Sequence, residues 1–206
     1  MKEKAERLHV ALRPHLKTGK CIEFAKVQMT SFGACDRFNF LEAEYFFNLA
    51  LLILFMPSDL AGKIRTRHKL KRSRLRLEGH LRQQGNSRAV QRLLRRKKES
   101  HAPVLIEIDV DGHRSGVKPD SDDLIEIAKI LQGKAYFAGV LTHAGDSYKC
   151  VGQAACLKAQ ENERDSLVHC ANRLRKAGFD PKIISAGSTP TAVFAESWEG
   201  VTEVRC

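Results

Sequence analysis

Four short polar segments each follow an apolar run of the sequence, and they hold the side chains best suited to chemistry. They are residues 13–18 (RPHLKT), 109–116 (DVDGHRSG), 142–148 (THAGDSY) and 185–191 (SAGSTPT). Lysine supplies an amine nucleophile, arginine binds anionic oxygens, and histidine moves protons or stacks on a flat ring. Four such segments predict one convergent site if their strands lie side by side in a parallel barrel.

The last segment is typical of a phosphate site. Gly187, Ser188 and Thr189 form a turn that opens onto a predicted helix, and such a turn offers backbone N–H groups and two hydroxyls to an anion. The same residue types also suit an ordinary helix N-cap, where serine and threonine are common. The turn taken alone favours the cap.

The other candidate side chains also have an ordinary alternative. Lys17 lies near the end of an apolar run, where burial would favour a neutral, nucleophilic amine, whereas a solvated lysine beside Lys20 is the commoner case. Arg114 and His143 taken singly are more often structural hydrogen-bonding residues. Tyr148 either points into a pocket or belongs to a lid.

Strands and helices alternate clearly in the second half of the chain. The strands expected there span 104–110, 136–142, 182–185 and 201–204, and the helices span 122–131 and 154–177. The first half is less regular, with strands expected over 12–17 and 51–55 and helices over 21–31 and 42–48. Seven or eight strands fit a (β/α)8 TIM-type barrel better than an open sheet, so we predict an α/β fold with a single barrel domain over residues 1–206.

Composition and cysteine spacing exclude several classes of protein. The 206 residues are 43% hydrophobic, which supports one substantial core and excludes a disordered or fibrous chain. The six cysteines show no CxxC spacing, and scattered free thiols indicate a reducing compartment. The longest apolar stretch, residues 46–56, is too short to span a bilayer, and residues 1–13 lack the apolar core of a secretory signal. We therefore expect a cytoplasmic protein without a membrane segment.

Together, the motifs resemble a known family. The segments that carry the resemblance are RPHLKTGK at 13–20, IEIDVDGHRSGV at 106–117, GVLTHAGDSY at 139–148, SAGSTPT at 185–191 and VTEVR at 201–205. They are similar to segments of D-threonine aldolases and D-serine dehydratases, which are fold-type III pyridoxal-phosphate enzymes with an alanine-racemase-like N-terminal barrel. The resemblance covers about residues 10–34 and 103–206 and is looser over 40–62.

The resemblance implies a role for each polar segment. Lys17 would be the Schiff-base lysine that holds the aldehyde of pyridoxal 5'-phosphate, and Arg114 would lie beside the cofactor's phenolic oxygen. His143 would stack on or near the pyridine ring, and Tyr148 would face the substrate. The residues that would hold the phosphate are Ser185, Gly187, Ser188 and Thr189.

The activity implied by the resemblance is that of a lyase acting on small D-amino acids, either by aldol cleavage or by dehydration. The alternatives are a pyridoxal-phosphate-binding protein without catalysis, a racemase-like protein, and a nucleic-acid-binding protein. Relatives continue beyond the position of Cys206 into a β-rich C-terminal domain that supplies their divalent-metal ligands. We therefore expect no such domain and no metal ligand in this chain. Relatives commonly form homodimers, and the sequence leaves the oligomeric state open.

Residues 63–98 depart from the family pattern. This basic segment holds fifteen Lys or Arg and one acidic residue, Glu78, so its local charge of +14 exceeds the +11 of the whole chain. We predict an irregular segment with no clean strand, which would leave the barrel without a proper fourth strand. The cations suit a nucleic-acid-binding arm. We favour the alternative that the segment is out of frame, because sequence typical of the family resumes abruptly at Pro103.

Overall fold

The computed structural model describes residues 1–15, 24, 53–56, 76–81, 103–112, 115–132 and 136–206. Within these residues, seven strands form one sheet: β1 (Ala11–Arg13), β2 (Ile53–Met56), β3 (Arg76–Leu81), β4 (Pro103–Glu107), β5 (Tyr136–Leu141), β6 (Ile183–Ala186) and β7 (Glu203–Arg205). The helices are α1 (Lys2–Arg7), α2 (Asp123–Gln132), α3 (Gln153–Lys176) and α4 (Thr189–Phe194), with a 3-10 helix over Gly145–Lys149.

The order of the strands is that of a barrel. From β2 to β7 each strand pairs in parallel with the next one along the chain, and β1 pairs with β7. A sheet in which the first strand meets the last is what a (β/α)8 barrel produces, whereas a doubly wound sheet keeps its first strand in the interior. The predicted α/β barrel architecture is confirmed.

The elements predicted in the second half of the chain are also confirmed. β4 to β7, α2 and α3 lie where the hydrophobic periodicity places them, with shifts at their ends. The strand expected over 104–110 ends at Glu107. Beyond it, the N–H of Ile108 donates to the Leu141 carbonyl oxygen over 2.8 Å, and Ile108 forms an isolated parallel bridge to Val117. The helices expected over 21–31 and 42–48 lie outside the described residues, apart from Phe24.

The expectation that the basic segment contributes no clean strand to the barrel is wrong. β3 lies inside the basic segment and pairs in parallel with both β2 and β4, and Gly79 is in register with Met56 on one side and Val104 on the other. Parallel pairing joins backbone N–H and C=O groups, so a sequence rich in arginine does not prevent it between two neighbouring strands.

The main core lies between the sheet and the helices. The buried side chains of α2 and α3 that form it are Leu124, Ile127, Ala128, Leu131, Leu167, Cys170, Ala171 and Leu174. They share one cluster with alternate strand residues such as Ile106, Val140 and Ile184. No helix among the described residues is long and apolar enough to cross a membrane.

The opposite face of the same strands is the interior of the barrel, and part of it is polar. The Arg13 Nη2 donates to Glu203 Oε2 over 2.8 Å, and the Ser185 hydroxyl donates to Glu203 Oε1 over 2.7 Å. The three residues are 6%, 7% and 0% exposed. A carboxylate that is out of water requires such partners, and here they tie β1 and β6 to β7.

Candidate functional site

The polar segments lie at the carboxyl ends of adjacent strands. The His143 loop (residues 142–149) follows β5, the Gly187 turn (residues 187–191) follows β6, and residues 109–112 follow β4. Parallel strands end at the same edge of a sheet, so these segments are neighbours. The N–H of Asp146 donates to Asp111 Oδ2 over 3.1 Å and thereby joins two of them.

The Gly187 turn caps α4. The Ser188 Oγ accepts the N–H of Thr191 over 3.4 Å, and the Thr191 Oγ1 accepts the N–H of Ser188 over 3.0 Å, which is a capping box. Pro190 lies in the first turn, where its missing N–H costs no hydrogen bond. The N-cap interpretation is therefore confirmed, and the N–H of Ser188 already has an acceptor.

Gly187 brings the turn against the end of β7. Its φ is +120°, and a Cβ at this position would lie 2.2 Å from the Arg205 carbonyl oxygen. Backbone atoms cannot yield to such a contact, so only glycine permits this close approach.

A chain of hydroxyls connects the turn to the His143 loop. The Ser147 Oγ donates to the Ala144 carbonyl oxygen over 2.6 Å and lies 2.6 Å from the Ser188 Oγ. A hydroxyl has one proton, so Ser147 accepts from Ser188, and the proton of Ser188 is used inside the protein. Both serines are buried.

Tyr148 and Thr189 lie above this buried layer. The Tyr148 hydroxyl is 3.5 Å from the Thr189 Oγ1 and 3.4 Å from the Thr189 backbone nitrogen, and both distances are long for hydrogen bonds. Tyr148 is 55% exposed and Thr189 is also exposed. Their hydroxyls can therefore turn toward an anion and lose little hydrogen-bond energy.

The aromatic ring of His143 lies next to the same turn. Its Nδ1 is 3.1 Å from the Gly187 carbonyl oxygen. The ring centroids of His143 and Tyr148 are 6.0 Å apart, with their planes tilted by 40°. One edge of the sheet thus presents a flat ring beside a turn with exposed hydroxyls.

A buried carboxylate lies beneath both segments. Glu163, in the middle of α3, is 0% exposed, and its Oε1 accepts the N–H of Ala144 over 3.1 Å and the N–H of Gly187 over 3.0 Å. Its Oε2 accepts the Thr191 hydroxyl over 2.8 Å. Burial raises the pKa of the Glu163 carboxyl, while the three hydrogen bonds and the positive charge of Arg205 act in the opposite direction.

The structure brings together five of the predicted site residues, which are His143, Tyr148, Gly187, Ser188 and Thr189. Ser185 lies below them in the barrel interior, where its hydroxyl donates to Glu203. Lys17 and Arg114 lie outside the described residues. The described chain before Lys17 ends at His15, whose N–H donates to the Cys206 carbonyl oxygen over 2.7 Å beyond β1 and β7.

The sequence alone did not single out Glu163, Ser147 or Thr191. A signal for Glu163 was present, because the buried face of α3 is formed by Cys156, Gln160, Glu163, Leu167, Cys170, Ala171 and Leu174 at helical spacing. A carboxylate at such a position requires several donors. No group of three or more His, Cys, Asp or Glu side chains in the described ranges is arranged to hold a metal ion.

Comparison with known proteins gives several relatives. The chain is 36% identical over its whole length to the D-threo-3-hydroxyaspartate dehydratase of Delftia sp. (strain HT23) and covers 55% of that protein. A solved structure of that enzyme superposes with a TM-score of 0.89, covering 99% of this chain and 55% of the other. The D-serine dehydratase of Dictyostelium discoideum is 26% identical over 92% of this chain and 52% of its own length.

A more distant structure has the same fold. The D-threonine aldolase from Filomicrobium marinum superposes with a TM-score of 0.80 at 21% identity, covering the whole of this chain and 56% of the other. The chain spans about half the length of all these proteins. The family model described as the alanine racemase N-terminal domain matches residues 1–206, so the chain belongs to that family.

Proposed function

We propose that this chain is the cofactor-binding barrel of a pyridoxal-phosphate-dependent lyase that acts on D-amino acids, with Lys17 as the residue that carries the cofactor aldehyde. The two sequence relatives above are, by name, dehydratases of D-threo-3-hydroxyaspartate and of D-serine. Both substrates are D-amino acids with a hydroxyl on Cβ. We extend this substrate class to the present chain.

The observation that carries the proposal is the convergence of His143 and Tyr148 on the Gly187 turn. This arrangement joins a flat imidazole to a turn with exposed hydroxyl donors, at the edge of a parallel barrel where ligands bind. Pyridoxal phosphate requires both features, because its flat ring needs a flat partner and the phosphate on one side of the ring needs hydrogen-bond donors.

The donors of the Gly187 turn fit a phosphate in a specific way. The N–H of Gly187 is held by Glu163, and the N–H and hydroxyl of Ser188 are used by Thr191 and Ser147. The groups with only long contacts are the N–H and hydroxyl of Thr189 and the hydroxyl of Tyr148. We therefore assign the phosphate to Thr189 and Tyr148, with Gly187 and Ser188 shaping the turn beneath it.

His143 would place its ring against the cofactor ring. Its hydrogen bond to the Gly187 carbonyl fixes the orientation of the imidazole, so the ring does not have to be ordered when the cofactor binds. When bound, pyridoxal phosphate withdraws electrons from the substrate Cα and so permits bond cleavage there. Lys17 would hold the aldehyde, and Arg114 would lie beside the phenolic oxygen, as the sequence resemblance implies.

Reduction with borohydride tests the proposal directly. The chain is incubated with pyridoxal phosphate, reduced, digested and mapped by mass spectrometry, and we expect one pyridoxyl group on Lys17. Lys17→Ala should abolish the adduct, whereas the matched variant Lys20→Ala, three positions along, should retain it. Adducts spread over the lysines of the basic segment, or none at all, would contradict the proposal.

Product analysis tests the reaction. The protein is given D-serine, D-threonine and D-threo-3-hydroxyaspartate in turn. Dehydration releases a 2-oxo acid and ammonia, and aldol cleavage releases glycine and an aldehyde. An adduct on Lys17 with no product from any of the three would instead favour the non-catalytic, cofactor-binding alternative.

A further inference from the structure

We propose that Glu163 is a positioning residue that fixes the His143 loop relative to the Gly187 turn and thereby sets the distance between the ring-binding and phosphate-binding parts of the site. The inference deepens the proposed function and rests on it. Glu163 lies beneath both segments, so it would act on the cofactor only through them.

The hydrogen bonds of Glu163 give the geometric reason. One oxygen, Oε1, accepts the N–H groups of both Ala144 and Gly187, which follow two different strands. Two donors on one oxygen are held at a fixed separation. Ala144 is adjacent to His143, and Gly187 leads into Thr189, so the separation is transmitted to the ring and to the exposed donors of the turn.

The other oxygen of Glu163, Oε2, determines which substitution the site accepts. Oε1 already accepts two N–H groups and cannot carry a proton, whereas Oε2 faces the Thr191 hydroxyl. That hydroxyl can instead donate to the Ser188 carbonyl oxygen, which is 3.2 Å away. Glu163→Gln therefore fits, because its Nε2 donates to Thr191 and its Oε1 keeps both N–H groups.

Two other substitutions break the arrangement. Glu163→Leu removes every acceptor and leaves the N–H groups of Ala144 and Gly187 buried without one. Glu163→Asp keeps the carboxyl group but is shorter by one methylene, so it cannot reach both segments as Glu163 does. If the leucine variant fails to fold, the aspartate variant still tests the inference.

Gln160 provides a matched control. It lies one turn earlier on the same face of α3, it is 1% exposed, and its Nε2 donates to the Ser197 carbonyl oxygen over 2.7 Å. Gln160→Leu therefore also removes a buried hydrogen bond from α3. Its partner lies outside the His143 loop and the Gly187 turn, so the variant reports on stability alone.

The first measurement is hydrogen exchange without cofactor. We expect faster amide exchange in peptides covering 142–149 and 187–191 for Glu163→Asp and Glu163→Leu, and exchange close to the parent rate for Glu163→Gln. Gln160→Leu should leave both peptides unchanged relative to the rest of the protein. Unchanged exchange in the aspartate and leucine variants would overturn the inference, whether or not the chain binds the cofactor.

The second measurement is the preference for pyridoxal phosphate over pyridoxal. Only a misplaced phosphate site lowers this preference, whereas a general loss of stability lowers both affinities together. We expect the preference for pyridoxal phosphate to fall about tenfold in Glu163→Asp, which is the effect of one hydrogen bond. It should recover in Glu163→Gln. A preference unchanged in Glu163→Asp would overturn the inference. A parent chain that binds neither compound would overturn the proposed function, and the exchange result would still decide the role of Glu163.

Discussion

The Nδ1 of His143 lies 3.1 Å from the carbonyl oxygen of Gly187. A carbonyl oxygen only accepts hydrogen bonds, so the Nδ1 of His143 carries a proton and donates it to this oxygen. The tautomer and the orientation of the ring are thus set by the backbone of the turn. The two parts of the candidate site are connected through this contact as well as through Glu163.

Two substitutions of His143 distinguish the contribution of its flat ring from that of its hydrogen bond to Gly187. His143→Phe keeps a flat ring and loses the hydrogen bond to Gly187, whereas His143→Asn can keep a donor and loses the ring. If ring contact is the role of His143, the affinity for pyridoxal phosphate should fall about tenfold in the asparagine variant, by loss of stacking, and less in the phenylalanine variant. Titration by absorbance gives both values, and the reverse order would assign the role to the hydrogen bond.

Gly187→Ala should destabilise the protein and remove cofactor binding. The new Cβ would lie 2.2 Å from the Arg205 carbonyl oxygen and 2.7 Å from the Arg205 nitrogen, so β7 and the turn would have to separate. Gly178→Ala is the matched control, because its φ of +85° is also positive and no atom lies within 4 Å of the new Cβ. The control should cost about 1–2 kcal/mol of backbone strain. Thermal unfolding compares the stability of the two variants. Equal losses of stability would show that the contact with Arg205 is relieved without cost.

The buried pair of Arg13 and Glu203 should show strong coupling. Glu203→Leu removes the carboxylate that pairs with the Arg13 guanidinium in the barrel interior, which should cost about 3–5 kcal/mol in the free energy of unfolding. The double variant Arg13→Met with Glu203→Leu removes both charges and should regain much of this loss. Denaturant unfolding of the two single variants and the double variant gives the coupling energy. Additive losses would show that the pair does not interact.

The sequence predicted the fold well where hydrophobic spacing is regular. The apolar positions of α2 and of β4 to β7 recur at the helix and strand periods, and their elements formed as expected. The basic segment obscured β3, because strand pairing is a property of the backbone and of the neighbouring strands. Composition alone therefore gave the wrong answer for Arg76–Leu81.

The candidate site was predictable in part. His143, Tyr148 and the Gly187 turn were identified because they follow strands and resemble family motifs, and the structure brings them together. Glu163, Ser147 and Thr191 were not identified, since hydrogen bonds join them to residues far apart in the chain. Ser147 meets Ser188 across 41 positions, and Glu163 meets Thr191 across 28. Only the fold shows which donors meet which acceptors.

Thiol alkylation should follow burial and pKa. Burial raises the pKa of the Cys170 thiol to about 12, and its side chain is fully buried in the core. Only a thiolate reacts with iodoacetamide, so Cys170 should remain unmodified in the folded protein at mildly alkaline pH, whereas the partly exposed Cys206 reacts. Mass mapping with and without denaturant makes the comparison. Early modification of Cys170 would show that α3 detaches readily from the sheet.

The pH dependence of stability should reveal the carboxyl of Glu163. Burial raises its folded pKa above the unfolded value, so between the two values the folded state binds more protons. The contribution of this group to stability is therefore fully present below the unfolded pKa and is lost as pH rises through the folded pKa. Glu163→Gln keeps the hydrogen bonds and has no proton to lose, so it escapes this loss. The melting temperature of the glutamine variant minus that of the parent should increase with pH across this window and then level off. A difference that instead grew as pH fell would mean that the hydrogen bonds and Arg205 outweigh burial and hold Glu163 ionised.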